Sequence, residues 1–111
     1  MIERRSAAAN GVTHRPSCEP ATHVLKCWTA FYTEIADGRK RHDLRRVTDR
    51  EFRIGDRLQL REFDPESGHY TGREQTVEVT YITSADLPCA LSEEALNPDF
   101  CILSIAPLTN A

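Results

Sequence analysis

The sequence holds no apolar run approaching the roughly 18–20 residues that cross a bilayer. Its opening residues, Met1, Ile2, Glu3, Arg4 and Arg5, lack the apolar stretch of a secretory signal. A cytoplasmic location is the expectation that follows, with no membrane partner. The four cysteines, Cys18, Cys27, Cys89 and Cys101, include no C-x-x-C pair, and no histidine stands near one at zinc-finger spacing. They are expected to be reduced structural thiols, and neither a metal nor another cofactor is called for. There is no internal repeat. A dominant charge is lacking too: 14 Lys and Arg against 17 Asp and Glu leave a net charge of −3, which excludes indiscriminate polyanion binding. What remains is one small domain, since 111 residues with 40% hydrophobic and 28% charged content suffice for a modest core.

Charge is nevertheless unevenly placed. Between Arg39 and Arg50 stand six basic residues (Arg39, Lys40, Arg41, Arg45, Arg46 and Arg50) against Asp43 and Asp49, while Asp64, Glu66, Asp86, Glu93, Glu94 and Asp99 lie elsewhere. Such asymmetry steers an anion to one face, although solvated strands and turns also carry charge runs.

Residues 1–20 are rich in Ala, Ser, Pro and Arg without amphipathic period, and read as a poorly ordered arm before a domain over 21–111. Thr22 to Trp28 has the composition of a strand. Thr29 is positioned to cap a helix running from Ala30 to Asp37, with Phe31, Tyr32, Ile35 and Ala36 as its apolar stripe and Gly38 as its left-handed stop. From Arg41 to Arg46 the period is that of a polar strand, with Leu44 as its core anchor. Leu58 and Leu60 share a face in the next strand, and Asp64 to Gly72 reads as a nine-residue hairpin connection. Thr76 to Ile82 alternates, with Val77, Val79 and Tyr81 on one side. One helical turn is expected near Ser92 to Leu96, then a last strand from Phe100 to Ile105. The expected class is α+β: about five short strands curled towards a small β-barrel, with one early helix packed on it.

The order of these features resembles a bacterial and phage branch of the ASCH family, within the PUA-like superfamily. It rests on His23-Val24-Leu25-Lys26, the helix end Ile35-Ala36-Asp37-Gly38, then Arg39-Lys40, Asp43-Leu44-Arg45, Asp49-Arg50-Glu51-Phe52 and Gly55-Asp56. The run Leu58 to Asp64, Tyr70-Thr71-Gly72-Arg73 and Val77-Glu78-Val79-Thr80 complete it. The ASCH core motif is Gly-x-Lys-x-x-Glu-x-Arg; Gly38, Lys40 and Arg45 match, and Asp43 stands where Glu is usual. The resemblance covers about residues 22–106. It implies a PUA-like barrel, a cleft between helix and sheet, and an association with RNA.

In such a cleft Lys40 and Arg45 supply charge-assisted donors to phosphate or base carbonyls, and Asp43 orients one of them or accepts from an exocyclic amine. Arg39 and Arg41 add attraction at the rim. The competing reading makes Asp43 and Arg45 a structural pair closing the barrel mouth. Glu62 shares parity with Leu58 and Leu60, so an unbroken strand points it inward, where it needs a partner such as Lys40 or Arg45. A bulge turning it to solvent is the alternative. Tyr70 and Arg73, read as loop residues, suit a base and its phosphate, or else Tyr70 covers the barrel end. Trp28 and Phe31 read as core, and His42 as a minor site candidate.

A related ASCH branch hydrolyses an acylated cytidine with a Lys, a Thr three residues later and a distant Glu. Lys40 matches the Lys, but Asp43 occupies the Thr position and offers no hydroxyl nucleophile. The leading expectation is therefore an RNA- or nucleotide-binding module. A small amidohydrolase acting on an N4-acylated cytidine, using Lys40, Asp43 and Glu62, is the alternative.

Overall fold

The computed structural model describes residues 19–87 and 89–108. The expected N-terminal arm, apart from Glu19 and Pro20, lies outside the described residues, as do Cys18 and Pro88.

Strand β1 (Thr22–Trp28) alternates strictly, burying His23, Leu25 and Cys27 while its other side chains face out. Helix α1 (Thr29–Ala36) follows without a break. Thr29 does not cap it: the cap position is Trp28, and the Thr29 hydroxyl instead donates to the Phe63 carbonyl at 3.4 Å. Only Tyr32 and Ile35 of the expected stripe are buried. The stop is as read, because Gly38 takes φ +83° and its amide bonds back to Ile35.

Strand β2 (His42–Arg46) has the reverse of its expected parity. Leu44 is exposed, whereas Asp43 is buried. Pairing decides this: Asp43 lies opposite Leu103 of β5 (Phe100–Pro107), a fully buried residue whose side of the sheet it shares. Strands β3 (Arg57–Asp64) and β4 (His69–Ser84) form the central hairpin, and α2 (Ser92–Ala95) is a single turn. The sheet order is β1-β3-β4-β5-β2, with β1 and β3 parallel and the other pairs antiparallel. This mixed sheet curls into a half-barrel, and its two edge strands meet where Arg45 Nη2 of β2 donates to the Lys26 carbonyl of β1 at 3.0 Å. The small α+β barrel is thus the observed fold.

Two irregularities shape it. The β4–β5 register shifts between Val79 and Tyr81, so Thr80 is extra and the parity of β4 flips. Tyr81, expected beside Val77 and Val79, is 56% exposed, and Ile82 is buried in its place. The second lies between Arg61 and Phe63, where only Glu62 of β3 stands against Thr71, Gly72 and Arg73 of β4. Gly72 adopts φ +96°, which a side-chain-bearing residue rarely tolerates. The expected nine-residue connection is therefore mostly strand: Phe63 pairs with Tyr70 and Asp64 with His69. Leu58, Leu60, Val79 and Leu103, each 0% exposed, form the centre of the core, and every such side chain contributes roughly 1.5–3 kcal/mol of burial.

Candidate functional site at the barrel mouth

The end of β1, the start of α1 and the bulge in β4 converge on one mouth of the half-barrel. Cys27 of β1 and Glu62 of β3 are register partners there, both on the inner face and both buried. Glu62 points inward as its parity requires, yet its partners are neither Lys40 nor Arg45. Oε1 accepts from the Thr71 hydroxyl at 2.7 Å and from Arg73 Nε at 2.9 Å. The bulge produces this convergence by turning two residues of β4 towards one of β3. It supplies Glu62 with donors instead of expelling it. The Thr71 hydrogen bond, assisted by Thr29 and Arg73, holds the Glu62 carboxyl below its usual value despite burial.

Asp43 and Arg45 face the same mouth from β2. Arg45 Nε donates to Asp43 Oδ2 at 2.8 Å while its Nη2 bridges the seam to β1. The structural-pair reading therefore describes what both groups of Arg45 do. Cys27 sits among these charges, and burial first, then Asp43, pushes its thiol up to about 11. It remains a protonated, unreactive core thiol. Tyr32 roofs the mouth from α1, with Arg73 5.0 Å from its ring centroid. Burial raises its phenol, against the pull of Arg73, so it stays a neutral donor.

Lys40 is different. Its Nζ lies 3.3 Å from His42 Nε2 and 5.7 Å from the Phe31 ring centroid, and among the described residues no carboxylate lies within ion-pair distance of it. It borders the mouth, within electrostatic reach of Cys27. It also lines a groove of about 550 Å³ with Ile35, Gly38, Arg41, Val77 and Ile105.

The remaining sequence candidates divide. Arg41 lines that groove and donates Nε to the Gly38 carbonyl at 3.1 Å. Arg39 turns away from the mouth to Glu34 at 2.6 Å and Asp37 at 2.8 Å, all three exposed, so it is not a rim cation. Tyr70 and Arg73 do not act together, since they fall on opposite sides of β4: Arg73 reaches Glu62, whereas Tyr70 packs edge-on against Phe63 with Arg61 over its ring. Trp28 and Phe31 are not core residues. They are 50% and 48% exposed and stack on each other with centroids 6.3 Å apart. Thr71, Thr29 and Tyr32 were missed as site residues. The signal for Thr71 was Gly72, which reads as a turn residue but marks a bulge. Among the described residues no group of three or more His, Cys, Asp or Glu side chains could hold a metal ion, and no helix is long and apolar enough to cross a membrane.

The profile of a domain of unknown function, DUF3850, matches residues 22–105. The chain belongs to that family. No curated protein matches it. The DUF3850 match begins with β1 and ends within β5, so it takes in every residue of the mouth.

Proposed function

We propose that this DUF3850 domain is an ASCH-like, PUA-like module that binds RNA or a nucleotide-like ligand at the mouth between α1 and the sheet. The observation that carries the reading is the distribution of charge. Arg45 and Arg73 are matched by Asp43 and Glu62, and Lys40 has no matching carboxylate among the described residues. A surplus ammonium beside an exposed aromatic pair suits a phosphate and the base attached to it. Asp43, Glu62, Thr71 and Tyr32 offer acceptors and donors for the edge of that base. Arg45 serves by holding the wall in place.

The test is titration with short RNAs and mononucleotides. Affinity falls as salt rises, and Lys40→Ala weakens it roughly 10- to 150-fold, since a lost charge-assisted contact is worth roughly 1.5–3 kcal/mol. Binding indifferent to both salt and Lys40 would sink the proposal.

One observation favours the hydrolytic alternative. A hydroxyl of the kind missing at position 43 is present on another strand, at Thr71, which donates to a buried carboxylate. Against it, the same hydrogen bond lowers the basicity of Glu62, and a general base needs a value near the working pH. Turnover of an N4-acylated cytidine, abolished by Thr71→Val or Lys40→Ala, would reverse the ranking.

A further inference from the structure

Four aromatic residues outside the core lie in one strip, apart from the exposed Tyr81 and the partly buried Phe100. Alternation places Trp28, Phe63 and Tyr70 on the outer face of three adjacent strands, where Trp28 pairs in register with Phe63 and Phe63 with Tyr70. Phe31 continues the strip from the helix, stacked on Trp28 with an interplanar angle of 14°. At the other end Phe63 and Tyr70 meet edge-to-face at 5.1 Å. The chain has one Trp, three Tyr and four Phe, so half of its aromatic residues are here rather than in the core. Phe63 is partly buried, but Trp28, Phe31 and Tyr70 are 50%, 48% and 43% exposed, which forgoes part of a burial worth roughly 1.5–3 kcal/mol for each ring and calls for a reason.

Cations accompany the rings. Lys40 Nζ lies 5.7 Å from the Phe31 centroid, Lys26 Nζ 4.3 Å from that of Phe63, and the Arg61 guanidinium 4.1 Å from that of Tyr70. Lys26 and Arg61 are register partners, two residues before Trp28 and Phe63, which sets a row of positive charge about 6.6 Å along the strands from the row of rings. Of the carboxylates on this face, Glu74 is engaged by Gln59 at 2.7 Å and Arg61 at 3.6 Å, and Glu78 stands opposite Arg57 in register. Lys26 has no carboxylate within ion-pair distance among the described residues.

We infer that this outer strip, Phe31–Trp28–Phe63–Tyr70 with Lys26 and Arg61, is a stacking surface for unpaired bases, and that the ligand is single-stranded RNA running from the mouth across the sheet. The inference rests on the nucleotide reading of the mouth and extends it: a mononucleotide fills the mouth alone, whereas a strand reaches both places. The rings offer their faces to bases of any identity and the cations answer the phosphates. Adjacent strands about 4.8 Å apart set the rings close enough for consecutive bases to use neighbouring ones. An acidic peptide would meet the same cations but gains no comparable stacking.

Fluorescence titration with a labelled oligouridylate of about twelve nucleotides, within the span that such surfaces occupy, and with UMP separates the possibilities. Tyr70→Ala weakens oligouridylate binding roughly 5- to 100-fold, the range for losing one stacked base, and leaves UMP unchanged, whereas Trp28→Ala, which removes half of the aromatic pair beside Lys40, weakens both. Tyr70→Phe, which keeps the ring, restores binding and shows that the fold is intact. The inference is overturned if the wild-type protein fails to bind the oligouridylate. It is equally overturned if both alanine variants bind oligouridylate like wild type, if UMP and oligouridylate lose affinity by the same factor in Tyr70→Ala, or if duplex RNA or oligoglutamate of equal charge binds as well. Should Lys40→Ala leave oligouridylate binding intact while Tyr70→Ala removes it, the mouth reading fails and the strip stands.

Discussion

Each end of the β1 strand meets a buried carboxylate, and the two are held in different ways. At the start of β1, Asp56 is 0% exposed and accepts from the amides of Ala21 and Arg53 at 3.0 and 2.9 Å and from His23 Nε2 at 2.8 Å. The imidazole is thereby oriented, with Nε2 facing the Asp56 carboxylate and Nδ1 3.4 Å from Arg50 Nη1. Phe52 packs against the imidazole at 4.6 Å. At the other end, Glu62 is met by a hydroxyl and by the long, 60%-exposed Arg73 side chain, with Lys40 nearby and without a matching carboxylate. Backbone amides cannot leave Asp56 without unfolding the turn that carries them, so that end is a buckle. Donors on mobile side chains can be shared with a ligand. The difference teaches that burial of a carboxylate alone does not mark a site; the nature of its donors does.

The largest effect expected to test this contrast is on the buckle. Asp56→Ala strands two amides and an imidazole in the interior and lowers stability by about 3–5 kcal/mol, to be read from urea unfolding. A loss below about 1 kcal/mol, the size of an ordinary surface change, would show that the buckle holds nothing. Next comes Arg45→Ala, which opens the seam between the edge strands and leaves Asp43 without its partner. A loss of about 1–3 kcal/mol is expected, together with faster amide exchange in β1 and β2. Exchange faster in β2 alone would mean that the bridge to Lys26 is incidental.

A pH series separates the mouth from the buckle. Glu62 has a folded value held below its unfolded 4.5, so its ionised form stabilises the protein above that pH, and the contribution is lost as pH falls through the folded value. Glu62→Gln should therefore be less stable than wild type near neutrality, with the gap closing in acid below about pH 4.5; a gap independent of pH would contradict the assignment. Smallest is Lys40→Ala. With no ion pair to break among the described residues, it should change stability by less than about 0.5 kcal/mol while weakening anion binding. A substantial loss of stability would make Lys40 part of the frame.

Much of the frame was readable in advance because local rules decided it. Strand β1, the strand carrying Leu58 and Leu60, the Gly38 stop and the helical turn at Ser92 all follow from alternation, turn chemistry and capping. Three of four departures share one physical cause, that a strand's two faces are assigned by its partners. Leu44 and Asp43 exchanged sides because β2 pairs with β5. Tyr81 turned out and Ile82 in because Thr80 is an extra residue. Thr71 and Arg73 reached Glu62 through a bulge that Gly72 permits but does not announce. Trp28 and Phe31 carry apolar mass that reads as core, yet the core was already filled by residues distant in sequence.

What the sequence determined by itself is the small α+β frame, the inward parity of Glu62 and the cluster of Lys40, Asp43 and Arg45 after the helix stop. Each follows from interactions within a few residues along the chain. Only the tertiary structure decided that Arg45 is tied to the seam and Arg73 to Glu62, that Lys40 is left without a carboxylate among the described residues, and that half the aromatic residues lie on the outside. Those outcomes depend on which strands meet and where the register slips, and these are set by contacts among residues tens of positions apart.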